Sequence, residues 1–246
     1  MRLSVIIPAY NEEKRVPKTL EDIDNYLKNQ PYESEIIVVD GGSKDRTRVV
    51  VKEKQNEIKN LKLIELDGLG KGHAVKEGML AAEGDFRVFT DADNSTSIDQ
   101  IEKMWPEFEK GYDIVIGSRD IKGARLDPPQ PWFRRLVGWG FKVYRKIVVG
   151  FWAIQDTQCG FKGFSAKAVK DIFPKVRINQ FAFDPEILLL GKKFGYKIKE
   201  IPVHWKNDLE SKVQLSSMVN MASDMLKIKW NFITKKYDET KVSSTA

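Results

Sequence analysis

An α/β fold whose mostly parallel central sheet is covered by helices on both faces is the class that this sequence predicts. Three observations carry the expectation. Short β-branched runs alternate with stretches of helical periodicity through the first half of the chain. Those runs end in polar, charged segments, where an open α/β sheet binds its ligands. A chain of 246 residues, 41% hydrophobic and 31% charged, also suffices for a substantial core in one large domain or two small ones.

The elements follow in order. "RLSVIIPA" reads as the first strand, followed by a helix from about Glu13 to Lys28. "SEIIVVD" is the second strand, and the next helix is expected to begin near Ser43, with its hydroxyl as N-cap. "LKLIEL" leads through "DGLGKG" into the helical "HAVKEGMLAAEG". "FRVFTDAD" leads into "SIDQIEKMWPEFEK", read as a helix, and "YDIVIGSR" closes the series. The strand ends read "PAYNE", "VDGGS", "DADNS" and "GSR".

The second half differs. Residues 131–152 hold three of the six tryptophans and five basic residues. After "DTQCGFKGF" a helix is expected from about Ala166, then a helix and a strand within "FAFDPEILLLGKKFGYKIKEIPVHW". Residues 217–236 read as an amphipathic basic helix, and the last ten as a frayed end. The expected division is a main domain over 1–212, a C-terminal helix over 213–236 and a flexible tail over 237–246.

Composition narrows the function classes. One cysteine, Cys159, excludes an internal disulfide and suits a reducing compartment. Two histidines and one cysteine cannot build a structural zinc site. "MRLSVIIPAY" is broken too soon by Pro8 to be a signal peptide, and no apolar run reaches the ~18 residues that span a bilayer. A formal charge of +6 favours anionic partners such as nucleotide, phosphate or acidic lipid. Nucleic acid fits poorly, because the aromatics cluster with apolar residues instead of spreading through a basic groove.

The motifs have two readings each. In extended chain Asp91 and Asp93 point to the same face, which crowds like charge unless a cation sits between them. They form half a site for a hard divalent cation completed by substrate phosphates, or an Asp-rich turn in which Asp93 or Asn94 caps the next helix. Asp40 in "VVDGGSKDRT" can accept hydrogen bonds from a base or ribose, or simply belong to a D-G-G turn. Lys71 in "GLGKGHAV" can meet phosphate at a helix N-terminus, although the spacing matches neither a P-loop nor G-x-G-x-x-G. His73 suits a helix surface and His204 a packed strand. Arg119, Arg134, Arg135 and Lys212 can grip phosphate or be solvated surface charges. Residues 131–152, with Trp132, Trp139 and Trp152, suit a helix in the headgroup layer, or a core helix pair with snorkelling basic side chains.

The order "PAYNE", "VVDGGSKDRT", "GKGHAV", "DAD", "GSR", "DTQCGFK", "FDPEIL", "EIPVHW" resembles the family 2 inverting glycosyltransferases of GT-A fold, a Rossmann-like nucleotide-binding architecture. "WFRRL", "FAFDPEILLL" and "SKV" are similar, more closely, to dolichyl-phosphate β-glucosyltransferases and their prokaryotic polyprenyl-phosphate relatives, and the likeness covers residues 3–232. It implies that residues 1–212 form a GT-A domain that transfers glucose from UDP-glucose to a polyprenyl phosphate with inversion. Pro8, Ala9, Tyr10, Glu12, Asp40, Ser43, Lys71 and Ala92 would then serve the nucleotide. Asp91 and Asp93 would hold Mg2+ or Mn2+, with Ser95 beside it. Arg119, Arg134, Arg135 and Lys212 would grip the acceptor phosphate, and Asp156, Gln158 and Asp184 would face the donor sugar or acceptor.

Three departures stand out. Gly41 replaces the second Asp of many relatives, and "NDLESK" lacks the Arg of mannosyl-transferring cousins. The transmembrane helix of eukaryotic glucosyl relatives is missing, so attachment to the cytoplasmic membrane face would come from surface helices. A GDP-mannose-dependent transferase and a non-catalytic basic membrane-surface protein are the alternative functions.

Overall fold

The apolar runs of the first half are consecutive strands of one sheet. In this computed structural model, the structure describes residues 2–128, 132–206 and 215–238, with side chains except at 132–137 and 215–219. Strand β1 (Arg2–Ala9) is flanked by β2 (Glu33–Asp40) and, beyond it, β3 (Leu61–Glu65). On its other side lie β4 (Phe86–Phe89), β7 (Lys162–Ser165), β5 (Ile114–Ser118) and β8 (Ile198–Pro202). All neighbours pair in parallel except β7, which runs antiparallel between β4 and β5. The expected mostly parallel sheet is present, and β7 is the strand that the sequence reading lacked.

Alternation along each strand feeds two cores. Leu3, Val5 and Ile7 of β1 pack on one face with Ile36 and Val38 of β2. Ile6, Ile37 and Val39 pack on the other. Helix α1 (Val16–Leu27) covers the first face with Val16, Leu20, Ile23 and Leu27, at the spacing of a single helical stripe. Helix α3 (Lys71–Ala81) covers the second with Ala74, Val75 and Met79. Helices α6 (Ala166–Ile172) and α7 (Phe183–Lys193) extend that second layer, and the hydroxyl of Ser165 caps α6 by accepting from the Ala168 N–H at 3.2 Å.

Several expected boundaries shift for local reasons. Helix α2 (Thr47–Gln55) starts four residues after Ser43. Asp40 Oδ1 takes the N–H groups of Gly42 (3.1 Å) and Ser43 (3.0 Å), while Ser43 Oγ accepts from Asn11 N–H at 2.9 Å and caps nothing. The helix expected over 97–110 is a 3-10 turn, Ile98–Lys103, followed by the short α4 (Trp105–Glu109). Strand β4 ends at Phe89, so Asp91 and Asp93 lie in the loop beyond it and the alternation of an extended chain does not apply to them. Asn94, at φ 54°, donates its N–H to Asp91 O at 3.3 Å and closes a turn instead.

The second half adds a small parallel ladder, β6 (Arg125–Asp127) with β9 (His204–Lys206), and two long helices, α5 (Trp132–Val149) and α8 (Leu215–Ile233), which pack together. Tyr144 of α5 donates its hydroxyl to Ala222 O of α8 at 3.0 Å. Met221, Met225 and Ile228 turn inward, whereas Leu226, Trp230 and Ile233 form an exposed stripe. Trp139, Ile147 and Trp152 are exposed on and just after α5. Among the described residues no helix is long and apolar enough to cross a membrane. The tail expected from 237 does not begin there. Tyr237 is 1% exposed and donates its hydroxyl to Glu186 Oε1 on α7 at 2.6 Å. The rest of that tail, from 239, lies outside the described residues.

Candidate active site

Strand order reverses between β1 and β4, since β2 and β3 lie to one side of β1 and all later strands to the other. The carboxyl ends at such a switch point diverge and leave a crevice. Register places Ala9 beside Asp40, and Phe89 beside Lys162, so the polar segments after β1, β2, β4 and β5 and before β7 share one edge.

Asp40 is fully buried. Its Oδ1 also accepts from Arg48 Nε at 2.6 Å, and Arg48 continues to Leu66 O at 2.7 Å. Its Oδ2 is buried with no hydrogen-bond partner, as are Ser95 Oγ, Thr96 Oγ1 and Thr157 Oγ1 at the same edge. Buried polar atoms are rarely left so, which marks unused bonding capacity around the crevice. Pro8 and Ala9 are buried at the end of β1, and Tyr10 beside them is 48% exposed. Glu12 is engaged by Arg15 through both oxygens, at 2.6 and 2.7 Å.

The loop after β4 carries the densest charge. Lys71 Nζ lies 2.5 Å from Asp91 Oδ1, the two side chains being 24% and 22% exposed. Burial disfavours the Lys71 ammonium, yet Asp91, Asp184 and Asp93 together raise its pKa. Asp93 accepts the Ser95 N–H at 2.9 Å, and burial together with the neighbouring Asp91 charge pushes its carboxyl above the usual range. Ala92 between them is buried, and its carbonyl accepts from the Thr19 hydroxyl at 2.8 Å, which ties the loop to α1. Gly160 closes the other side: a Cβ there would lie 2.0 Å from Asp91 Oδ2.

No group of three His, Cys, Asp or Glu converges on one point among the described residues. A metal here would therefore rest on Asp91 and Asp93 and complete its shell with ligand oxygens, as hard divalent cations do with phosphates. Asp93, pushed up by burial and by the Asp91 charge, would gain from a cation the countercharge that its surroundings supply only in part.

Beyond Asp91 the charges are already paired. Asp184, expected to face sugar or acceptor, is 4% exposed and bound by Lys162, which also donates to Cys159 O at 2.5 Å. Burial raises the Asp184 carboxyl despite Lys162 and Lys71, and pushes the Cys159 thiol up to about 12. Asp156, given the same expectation, is 3% exposed and lies beneath Arg119, which donates Nε (2.7 Å), Nη2 (3.0 Å) and its backbone N–H (3.1 Å) to it. Burial alone would raise Asp156, but Arg119 holds it well below the carboxylate range. A buried charge must be paired, which is why these two acids point inward. The Arg119 guanidinium lies 4.8 Å from the ring centre of Trp205, and Gln158 donates to Met221 Sδ of α8 at 3.3 Å instead of facing outward. Lys206, at the end of β9, gives its N–H to Ser95 O at 2.8 Å. Arg134 and Arg135 fall on α5 where side chains are outside the description, and Lys212 lies outside the described residues.

The sequence reading missed Lys162, Arg48, Gly160 and Glu186. Glu186 is buried and accepts the N–H groups of Arg177 (3.0 Å) and Ile178 (2.9 Å) besides the Tyr237 hydroxyl. Lys162 and Glu186 stood inside quoted motifs, "GFKGF" and "FDPEIL", but nothing in the neighbouring residues signals that either is buried.

Residues 4–173 match the family described as Glycosyl transferase family 2. Over 237 residues the chain is 37% identical to a dolichyl-phosphate beta-glucosyltransferase of Trichomonas vaginalis, covering 92% of this chain and 72% of that protein. It is 34% identical to the Homo sapiens dolichyl-phosphate beta-glucosyltransferase, covering 95% and 76%. Among solved structures, Mycobacterium tuberculosis glucosyl-3-phosphoglycerate synthase in complex with Mn2+, uridine diphosphate and phosphoglyceric acid superposes with a TM-score of 0.66 at 15% identity, over 98% of this chain and 80% of that one. Mannosyl-3-phosphoglycerate synthase from Rubrobacter xylanophilus gives 0.68 at 16%, over 100% and 78%. At such identities the structural likeness speaks for the fold.

Proposed function

The chain belongs to glycosyl transferase family 2, and from that premise we propose that it transfers glucose from UDP-glucose to a polyprenyl phosphate, with inversion, at a membrane surface. The observation that carries the substrate is the reach of the relatives' match. The family match ends at residue 173, but dolichyl-phosphate beta-glucosyltransferases align over more than nine-tenths of the chain and so include its acceptor-side half.

The geometry supports a division of labour. Asp40, with one carboxylate oxygen buried and unpartnered, receives the base, and Pro8, Ala9, Tyr10, Glu12 and Ser43, at the end of β1 and on the segments that follow β1 and β2, serve the nucleotide beside it. Asp91 and Asp93 hold Mg2+ or Mn2+, which when bound offsets charge on the departing diphosphate. Ser95 and Lys71 flank that position. Arg119 arrives pre-oriented by Asp156 and, with Arg134, Arg135 and Lys212, meets the acceptor phosphate. The nucleophile is a phosphate oxygen, anionic near neutral pH, so these cations do what a general base would do for a hydroxyl: they bring two polyanions together in line. Attack opposite the leaving group on an α-linked donor gives a β-linked product. Asp184, buried beneath Lys71, acts on the site through charge. The exposed stripes of α5 and α8, with lysines at 142, 146, 227 and 229, lie in the headgroup layer. Residues 1–212 then form the catalytic domain, with α8 as its membrane-side helix.

One experiment tests the reading. Radiolabelled UDP-glucose and GDP-mannose are each offered with a short polyprenyl phosphate, with and without Mn2+. Labelled lipid from UDP-glucose with metal is the expected result. Label from GDP-mannose alone, or from neither, overturns it.

A further inference from the structure

Lys71 is built into the edge that Asp91 occupies with unusual care. It is the first residue of α3 and follows Leu69 and Gly70, both in the left-handed region at φ 82° and 108°. A Cβ at Gly70 would lie 2.5 Å from Gln180 Oε1, and the Gln180 amide donates to Leu69 O at 3.1 Å. The loop is thus held from outside by the segment that leads into α7. His73 N–H donates to Asn179 O at 3.1 Å and repeats the attachment one turn on. The result is an ammonium 2.5 Å from Asp91 Oδ1, while Gly160 packs against Oδ2. A positive charge fixed at that oxygen repels a divalent ion seeking it, because like charges this close interact strongly in a partly buried site.

We propose that Lys71 is a tethered counter-ion for Asp91, which holds the carboxylate that the divalent cation needs and yields it only when cation and nucleoside diphosphate arrive together. This rests on the reading of Asp91 and Asp93 as the cation's ligands. The diphosphate offers the ammonium a replacement partner, so Lys71 moves from carboxylate to phosphate as the cation takes the carboxylate. Metal alone is kept off, and binding of metal and nucleotide is coupled through one side chain. By reciprocity each ligand then tightens the other by the same factor.

The test measures metal occupancy without turnover. Binding of Mn2+ alone is followed by loss of the free-ion electron paramagnetic resonance signal, in the wild-type chain and in Lys71→Met, Lys71→Gln and Lys71→Arg, then repeated with saturating uridine diphosphate. The neutral variants should bind Mn2+ alone about tenfold more tightly than wild type, within the range usual for coupled sites. Lys71→Arg should stay weak, and Asp91→Asn in the Lys71→Met chain should remove the gain. Uridine diphosphate should tighten Mn2+ more in wild type than in Lys71→Met. If both neutral variants bind Mn2+ alone no better than wild type, yet bind it with uridine diphosphate, the counter-ion role is wrong and the metal reading stands. If wild type takes up no Mn2+ even with uridine diphosphate, the metal reading itself falls, and this inference with it.

Discussion

The two sides of the crevice handle charge in opposite ways. On the side of β1, β2 and β4, pairing is incomplete: Asp40 Oδ2 has no partner although Oδ1 meets Arg48, and Asp93 is disfavoured as an anion by burial and by Asp91. On the side of β5, β7 and α7, every acid of the site is spent, Asp156 on Arg119 and Asp184 on Lys162. The difference teaches where ionic ligands can enter. In the proposed reading, the side with incomplete pairing would take cation and nucleotide, and the side with paired acids would form a rigid wall that offers the acceptor apolar surface and cations.

The sharpest way to break that contrast is Asp93→Asn. Glucosyl transfer should fall by on the order of 10²–10³-fold, the cost of removing one preorganised electrostatic group. The same variant should melt higher at neutral pH. Because the folded-state pKa of Asp93 is raised, the native chain binds the proton more readily than the unfolded one, and stability is lost as pH rises through that window. The amide removes this loss, a gain of order 1 kcal/mol or roughly 2–4 °C for a chain of this size. Unchanged transfer, or a lower melting temperature, would erase the distinction between the two sides.

Gly160→Ala probes how tightly Asp91 is placed. The added Cβ falls within 2.0 Å of the carboxylate, and a displacement of about 1 Å in a reacting assembly can cost ~10²-fold in turnover. Steady-state kinetics should show that loss with little change in melting temperature.

Asp156→Asn sharpens the other side. Arg119 keeps some contact with solvent, so the loss should be about 1–3 kcal/mol, below that of a sealed pair. Its sign with pH opposes that of Asp93. The lowered pKa of Asp156 contributes stability above the ordinary carboxylate pKa, and this is lost as pH falls through the folded value. Thermal melts from pH 7 down to pH 3 should therefore show the gap between wild type and variant starting to narrow below the ordinary carboxylate pKa and still open at pH 3. The smallest effect belongs to the exposed apolar stripe of α8, proposed to meet a membrane. Trp230→Ala should weaken association with anionic vesicles about tenfold in a sedimentation assay, since burying a large apolar side chain is worth ~1.5–3 kcal/mol.

Much of this arrangement was legible in the sequence, and what was not has a common cause. The strands β1 to β5 and the polar segments beyond them announce themselves by local pattern, and the GT-A fold expected from the motifs is the one observed. Asp40, Asp91 and Asp93 could be singled out because carboxylates just past apolar strands stand out locally, and Lys71 because glycines flank it ahead of a helix. Strand β7 was missed because only four residues form it and its partners, Phe89 and Ile116, are far away in the chain. Lys162 was hidden for the same reason, since its burial comes from neighbours that no local window contains. The start of α2 failed through competition: Asp40 and Asn11 captured the groups that would have capped a helix at Ser43. Asp156 and Asp184 were assigned outward because the motifs reveal their presence but not their pairing.

One main-chain bond described above sets the terms on which the end of β9 can change over time. Lys206 reaches Ser95 through its peptide N–H, while its side chain is exposed. Nineteen of the twenty residue types would preserve that mooring, about as permissive as a position can be, since only proline lacks the donor. Position 206 can thus vary in side chain from one descendant to the next without casting loose from the acidic loop, and a Lys206→Pro exchange is the one substitution there that would set it adrift.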